Sequence, residues 1–208
     1  MVQVSIILLT FNRKKIVDSC VRQGLQNADY PIKEIIWVDN GSIDGVDLSD
    51  IANINVKHKE NTGVAKGYNT GFRLAQGDYI VMPGTDQKLP NGWLKLMVES
   101  LKDDAMKIKA KNGSVLYRRE CFEEFGYFRE DFGLYGREEE EYGHRIGGNI
   151  QILEITGAEH LGTEGAKEYD GKDDKKYWEM KNKETNDPEK IKRLKEIIKK
   201  GDYYNPYN

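Results

Sequence analysis

The chain has 208 residues, 38% of them hydrophobic and 32% charged, with 32 basic against 35 acidic side chains and a net charge of −3. That length suits one domain with a modest appendage and can bury a core without disulfides or structural metals. The charge balance excludes a strongly basic protein gripping phosphate backbones, so no stable nucleic-acid partner is expected.

The first half alternates strands and helices. Val4 to Leu9 is a nearly continuous apolar run, as a strand buried on both faces requires. It is too short for a membrane span and lacks the design of a signal peptide, so no transmembrane anchor is expected. A helix is predicted from about Arg13 to Gln26, with Ile16, Cys20 and Leu25 inward. Lys33 to Val38 reads as a second buried strand that stops at the turn Asp39-Asn40-Gly41-Ser42. Ile54 to His58 is a third strand. Gly63 to Ala75 is a helix, with Val64, Tyr68, Phe72 and Ala75 at helical spacing. Tyr79 to Met82 is a fourth strand, ending at Pro83-Gly84. This rhythm predicts an α/β fold with a mostly parallel sheet and helices on its faces.

The second half is less regular. Pro90 to Leu101 is a predicted helix with Pro near its start. Ser114 to Tyr117 reads as a strand, Arg119 to Phe125 as a helix, and Ile150 to Ile155 as another strand. Gly136 to Arg145 carries an acidic run at a helix start. Past Lys167 the clearest element is a helix with Asp187 as N-cap and Pro188 at its first position. Ile191, Leu194 and Ile198 fall on one of its faces, and Gly201 follows it. Cys20 and Cys121 make no disulfide framework, which favours a reducing cytoplasm.

Ligands of open parallel sheets bind beyond the carboxyl ends of the strands. Three clusters fall there: Thr10-Phe11-Asn12-Arg13, Asp39-Asn40-Gly41-Ser42 and Gly84-Thr85-Asp86-Gln87. Asp, Asn and Gly also end strands for purely conformational reasons. Three such clusters at one edge point to a polar ligand. The dinucleotide fingerprint G-x-G-x-x-G and the P-loop pattern are both absent. Asn61 to Gly67 is a glycine-bearing loop at a helix start. Such a start can offer N–H groups to phosphate, with Lys66 adding charge, or it can be a plain cap.

The series VSIILLTFNR, EIIWVDNGSIDG, ENTGVAKGYNTGFRLAQGDYIVM, a turn with Asp86, and LPNGWL resembles the nucleotide-binding half of family 2 glycosyltransferases. GREEEEYGHR resembles the family's G-x-E-D-x-D-L-G-x-R segment without gaps, and the closing GDYYNPYN resembles a tail of many relatives. The resemblance implies a single-domain A-type glycosyltransferase fold over residues 1–165. Residues 1–94 would be its nucleotide-binding half and 95–165 its acceptor-binding half. Residues 166–208 would be a helical extension packed on the same domain.

For function, the resemblance implies transfer of a sugar from a nucleotide-diphosphate donor, UDP-sugar by default, to a glycan, lipid-linked or protein-linked acceptor. Thr10, Phe11, Asn12 and Arg13 would surround the nucleotide. Asp39 would bind the base or ribose, with Asn40 shaping its turn. Asn61, Gly63, Lys66 and Asn69 would line the nucleotide from the other side. Trp93 resembles the family's G-W-L tryptophan and either packs in the core or floors the sugar site. Aligned on LPNGWL, the family's D-x-D reads Gly84-Thr85-Asp86, keeping only the last carboxylate. Asp86 and His160 would then hold Mn²⁺ or Mg²⁺, with diphosphate oxygens completing the shell. The catalytic base falls on Glu139, with Glu138 the next choice. Glu138 or Glu141 can instead be read as binding acceptor hydroxyls. The rival readings are a domain of this fold that binds nucleotides or glycans without turnover, and a nucleotidyltransferase. Thr10 to Arg13 lacks the glycines that the second rival needs. A cytoplasmic protein, or one peripheral to a membrane surface, is expected.

Overall fold

The run Val4–Thr10 forms strand β1, with side chains buried on both faces. The first half continues with α1 (Lys14–Gln26), β2 (Ile32–Asp39), β3 (Ile54–Lys57), α2 (Val64–Leu74) and β4 (Tyr79–Met82). The second half holds β5 (Gln87–Lys88), α3 (Trp93–Ser100), β6 (Lys107–Ala110), β7 (Val115–Arg118), α4 (Glu120–Phe125) and α5 (Glu138–Arg145). It closes with β8 (Ile150–Leu153), β9 (Glu159–His160) and α6 (Pro188–Lys200). This computed structural model describes residues 2–161 and 186–200, together with Glu179 and Lys183. The expected boundary near residue 165, Gly201 and the closing GDYYNPYN lie outside the described residues.

The main sheet has the order β3-β2-β1-β4-β7-β6-β8, and β5 pairs with β9 in a separate ribbon. β1 is parallel to β2 and β4, β2 to β3, and β6 to β8. β7 alone in this sheet runs against its neighbours β4 and β6. The mostly parallel α/β sheet read from the sequence is therefore present, with one reversed strand inside it.

Strand alternation builds two cores. On one face Val4, Ile6 and Leu8 pack with Val17 and Val21 of α1 and with Trp93 and Met97 of α3. On the other, Ile7, Ile36 and Ile80 pack with Phe72, Phe122 and Tyr142. The inner face of α1 is Val17, Cys20, Val21 and Gly24. Ile16 and Leu25, expected inward, are only partly covered. α2 lies against β1 because Gly67 and Gly71 have no side chains. A Cβ at either position would come within 2.5 Å of Leu9 or Ile7.

Strand β6 was not expected. Its sequence Lys-Ile-Lys-Ala reads as surface, yet Lys107 is buried in the sheet. The signal for it is Asn112-Gly113 between two alternating runs, a hairpin pattern. In α6, Asp187 Oδ1 accepts the Glu189 N–H at 2.9 Å, so the expected cap is formed. The buried face of α6 is Leu194 and Ile197, packed on Phe132. Of the predicted face Ile191, Leu194 and Ile198, Leu194 is buried, and the side chain of Ile198 lies outside the described residues. Ile191 is only partly covered.

Candidate active site

The carboxyl ends of β1, β2 and β4 open on one cavity of about 310 Å³. Thr10, Phe11, Asn12 and Arg13 line it after β1, Asn40 after β2, and Gly84, Thr85 and Asp86 after β4. Tyr68, Phe128, Tyr135, Glu138 and Glu139 line the same cavity. The three expected clusters therefore each contribute to one cavity, and both candidate catalytic carboxylates face the same space.

Its floor is built from backbone strain and exchanged hydrogen bonds. Asn12 and Arg13 both adopt left-handed backbone, φ 56° and 67°. Each such residue costs of the order of 1 kcal/mol. The compensation is local: Asn12 N–H donates to Ser42 Oγ at 2.8 Å, and Asn12 Oδ1 accepts the Ile43 N–H at 2.9 Å. The bend delivers the Arg13 guanidinium to Asp86 Oδ2 at 3.3 Å. His160, brought in by the β5–β9 ribbon, places Nε2 3.2 Å from the same oxygen. Asp86 and His160, far apart in sequence, thus meet as two donors at one point.

Gly84 explains the missing first carboxylate. A Cβ there would lie 2.4 Å from Cδ and Nε2 of Gln87. Gln87 cannot swing aside cheaply. Its Nε2 donates to the Asn112 carbonyl, and its Oε1 accepts from Asn112 Nδ2 at 3.0 Å and Ser114 Oγ at 3.3 Å. Restoring the acid as Gly84→Asp is expected to lower stability by roughly 1–3 kcal/mol, the usual range for overpacking. It should not tighten Mn²⁺ binding. Thermal melts with calorimetric Mn²⁺ titration check both outcomes.

Several expected nucleotide residues do not line the cavity. Trp93 is buried in the core, its Nε1 donating to the Gly24 carbonyl at 2.7 Å, so it does not floor a sugar site. Asn69 is spent on Phe128, donating to its carbonyl at 2.8 Å and accepting its N–H at 3.0 Å. Lys66 lies on the exposed side of α2. Asp39 is buried, with Oδ1 accepting the Ser42 N–H at 2.9 Å and Oδ2 3.1 Å from Lys57 Nζ. Asn61 Oδ1 accepts from Gly63 N–H and from Asn40 Nδ2, both at 2.9 Å. The Leu134 carbonyl takes the Val64 N–H at 2.9 Å. Gly63 is the N-cap of α2 and no side chain caps the helix, so the expected capping by Asn61 or Thr62 is not formed. His58, not singled out from sequence, steadies Asn40 with Nδ1 2.9 Å from its Oδ1. Burial and Lys66 push the imidazole below its ordinary pKa.

The acidic run divides its work by helix geometry. Glu138 and Glu139 face the cavity. Glu138 Oε2 accepts the Gly136 N–H at 2.8 Å. Glu140 is exposed and pairs with Arg137 at 2.6 Å. Glu141 points the other way, into a bidentate pair with Arg145 at 2.7 and 2.9 Å. That pair is buried in the protein, so Glu141 is not placed to bind acceptor hydroxyls. Glu139 receives Lys107 Nζ on Oε1 at 2.7 Å and Lys109 Nζ on Oε2 at 3.1 Å. Burial works to raise its pKa, but the two ammonium groups outweigh it and hold the carboxyl below the ordinary glutamate range.

The family model described as "Glycosyl transferase family 2" matches residues 5–154. A cholesterol galactosyltransferase of Borreliella burgdorferi is 28% identical over 108 residues, covering 49% of this chain and 30% of the relative. Among solved structures, the mannosyltransferase PcManGT of Pyrobaculum calidifontis, in complex with GDP-Man and Mn²⁺, matches at TM-score 0.61 and 21% identity. The match covers 73% of this chain and 54% of that one. S. aureus TarS 1–349 in complex with UDP-GlcNAc matches at TM-score 0.60 and 16% identity, over 73% of this chain and 56% of that one. The chain thus spans about a third of the curated relative and about half of these structures. The expected A-type fold is the fold these structures share with it.

Proposed function

Because the chain belongs to glycosyl transferase family 2, we propose that it moves a sugar from a nucleotide-diphosphate donor to an acceptor hydroxyl with inversion at the anomeric carbon. UDP-sugar is the favoured donor, and a glycan on a polysaccharide, lipid or protein is the acceptor. The observation that carries this reading is the cavity itself: Arg13 and Asp86 line it together with Glu138 and Glu139, and His160 Nε2 lies 3.2 Å from Asp86 Oδ2.

Glu139 acts as general base. It takes the acceptor's proton as that oxygen attacks the anomeric carbon, and the bonding pair of the old glycosidic bond leaves with the nucleoside diphosphate. Arg13 stands ready to receive the negative charge that grows there. The residues present also fit a divalent ion. A carboxylate oxygen and an imidazole nitrogen 3.2 Å apart can serve one cation, and this pair of donor types suits Mn²⁺ or Mg²⁺. Among the described residues there is no group of three or more His, Cys, Asp or Glu able to hold a metal, so the remaining positions fall to diphosphate oxygens and water. When bound, the ion would neutralise the leaving diphosphate. No helix among the described residues is long and apolar enough to cross a membrane, so a lipid-linked acceptor would be met at a membrane surface.

The test is thermal stability against UDP, dTDP, GDP and CMP, each with and without Mn²⁺. A ligand at about 100 times its dissociation constant adds roughly 2.7 kcal/mol. The expected result is a shift with UDP that grows with Mn²⁺ and is lost in Asp86→Ala. A shift indifferent to Mn²⁺ removes the metal from the proposal. A second reading, binding without turnover, is favoured by the closed position at Gly84. Slow hydrolysis of the matching nucleotide sugar separates the two, since a pure binder leaves it intact.

A further inference from the structure

Lys107 is a buried ammonium that the proposed reaction does not use. Its residue is 1% exposed, although a lysine is almost never fully covered without a partner. Its Nζ lies 2.7 Å from Glu139 Oε1 and 4.9 Å from the centre of the Tyr117 ring. Glu139 keeps 29% of its side chain open, and its other oxygen meets Lys109, whose side chain is 45% exposed. The two lysines therefore hold one carboxylate unequally. One is fixed in the sheet and the other is free to yield.

A buried ion pair is a poor stability device, because apolar replacements of similar volume are often neutral or better. Its retention beside a candidate base calls for another use. We infer that Lys107 is a positioning residue for transfer: it pins Glu139 Oε1 at the back of the cavity and so presents Oε2 to the acceptor hydroxyl, which displaces Lys109. This rests on Glu139 being the base. The proton moves from the acceptor oxygen to Oε2, while Lys107 keeps its own.

The charged and titratable groups facing Glu139 are Lys107 and Lys109 of β6, Tyr117 of β7, Tyr68 of α2, and Tyr135 and Glu138 beside it in the chain. The lysines favour its ionised form. Removing the buried one should therefore move its titration upward. Lys107 itself feels burial most, which pulls it below the ordinary lysine range against the pull of Glu139.

The experiment compares Lys107→Met, Lys109→Met and Glu139→Gln as full-length proteins. UDP-glucose, UDP-galactose and UDP-GlcNAc serve as donors, water is the acceptor, and UDP binding checks folding. In Lys107→Met the hydrolysis rate should fall about tenfold or more, with donor KM within about twofold. Its acid limb should move up by about one pH unit. Lys109→Met should show a smaller change in each. In the Glu139→Gln background, Lys107→Met should cost nothing further, as for residues that act through one another. Carboxyl ¹³C NMR of Glu139 reads the same shift without turnover, and Lys107→Gln repeats the test should the methionine variant fail to fold. An unmoved Glu139 titration or pH profile in folded Lys107 variants overturns the positioning role, and a change in melting temperature alone reduces the pair to an anchor between β6 and α5. Full hydrolysis by Glu139→Gln instead overturns Glu139 as base, and the role of Lys107 falls with it.

Discussion

Glu139→Gln is expected to cut sugar transfer by about 10²- to 10⁴-fold, the usual worth of a positioned proton acceptor. Nucleotide binding, read by the UDP-dependent thermal shift, should stay nearly intact, because the ion pairs of Glu139 run to Lys107 and Lys109, whereas Asp86 pairs with Arg13 and His160. The glutamine keeps the shape and loses the proton-accepting oxygen. Loss of nucleotide binding would make Glu139 structural. Retained transfer would hand the role to Glu138. The two lysines depress the carboxyl in the folded state, so its contribution to stability is present above the unfolded glutamate pKa of about 4.3 and is lost as pH falls through the lower folded value. The wild-type melting temperature should therefore drop more steeply than the variant's below roughly pH 4.3.

The largest stability effect should come from Glu141→Ala. It leaves the Arg145 guanidinium buried without its carboxylate, an imbalance that costs about 3–5 kcal/mol. For a chain of this size that is a fall in melting temperature of roughly 6–20 °C. Burial pushes the Glu141 carboxyl above its ordinary range despite Arg145, so the intact pair adds little net stability at neutral pH. Glu141→Met with Arg145→Met should accordingly recover much of the loss. Recovery should be incomplete, because Arg145 also donates to the carbonyls of Phe125 at 2.7 Å and Tyr127 at 2.8 Å. Equal losses in the single and double variants would show that those carbonyl contacts, not the ion pair, carry the cost.

The parallel half of the fold was legible because its signals are local. A strand buried on both faces needs a nearly continuous apolar run, and Val4 to Leu9 and Ile35 to Val38 supply one each. The reversed hairpin was only half legible. Val115 to Tyr117 reads as a strand, whereas Lys107 reads as surface until Glu139, 32 residues away, is seen to neutralise it. The site divides in the same way. Thr10 to Arg13, Asn40 and Asp86 follow from lying at strand ends. Trp93 and Asn69 look equally available in sequence, and only packing shows them consumed by Gly24 and Phe128. The run of four glutamates could not be resolved without the phase of α5, which turns Glu138 and Glu139 to the cavity and Glu141 to Arg145. Arg13 meeting Asp86 depends on two successive left-handed residues, which no periodicity announces.

The contact between Gly84 and Gln87 also constrains how this sequence can change. Gln87 is tied to Asn112 and Ser114 in the β6–β7 turn, so the space beside Asp86 belongs to the hairpin rather than to the ligand. A second acid at position 84 is then costly as a single step. The order of substitution matters: a smaller residue at 87 opens the position first, and only afterwards does an acid at 84 become neutral or useful. The two sites are epistatic in one direction. A selection for tighter cation binding that starts from this chain should find changes at 87 before any at 84.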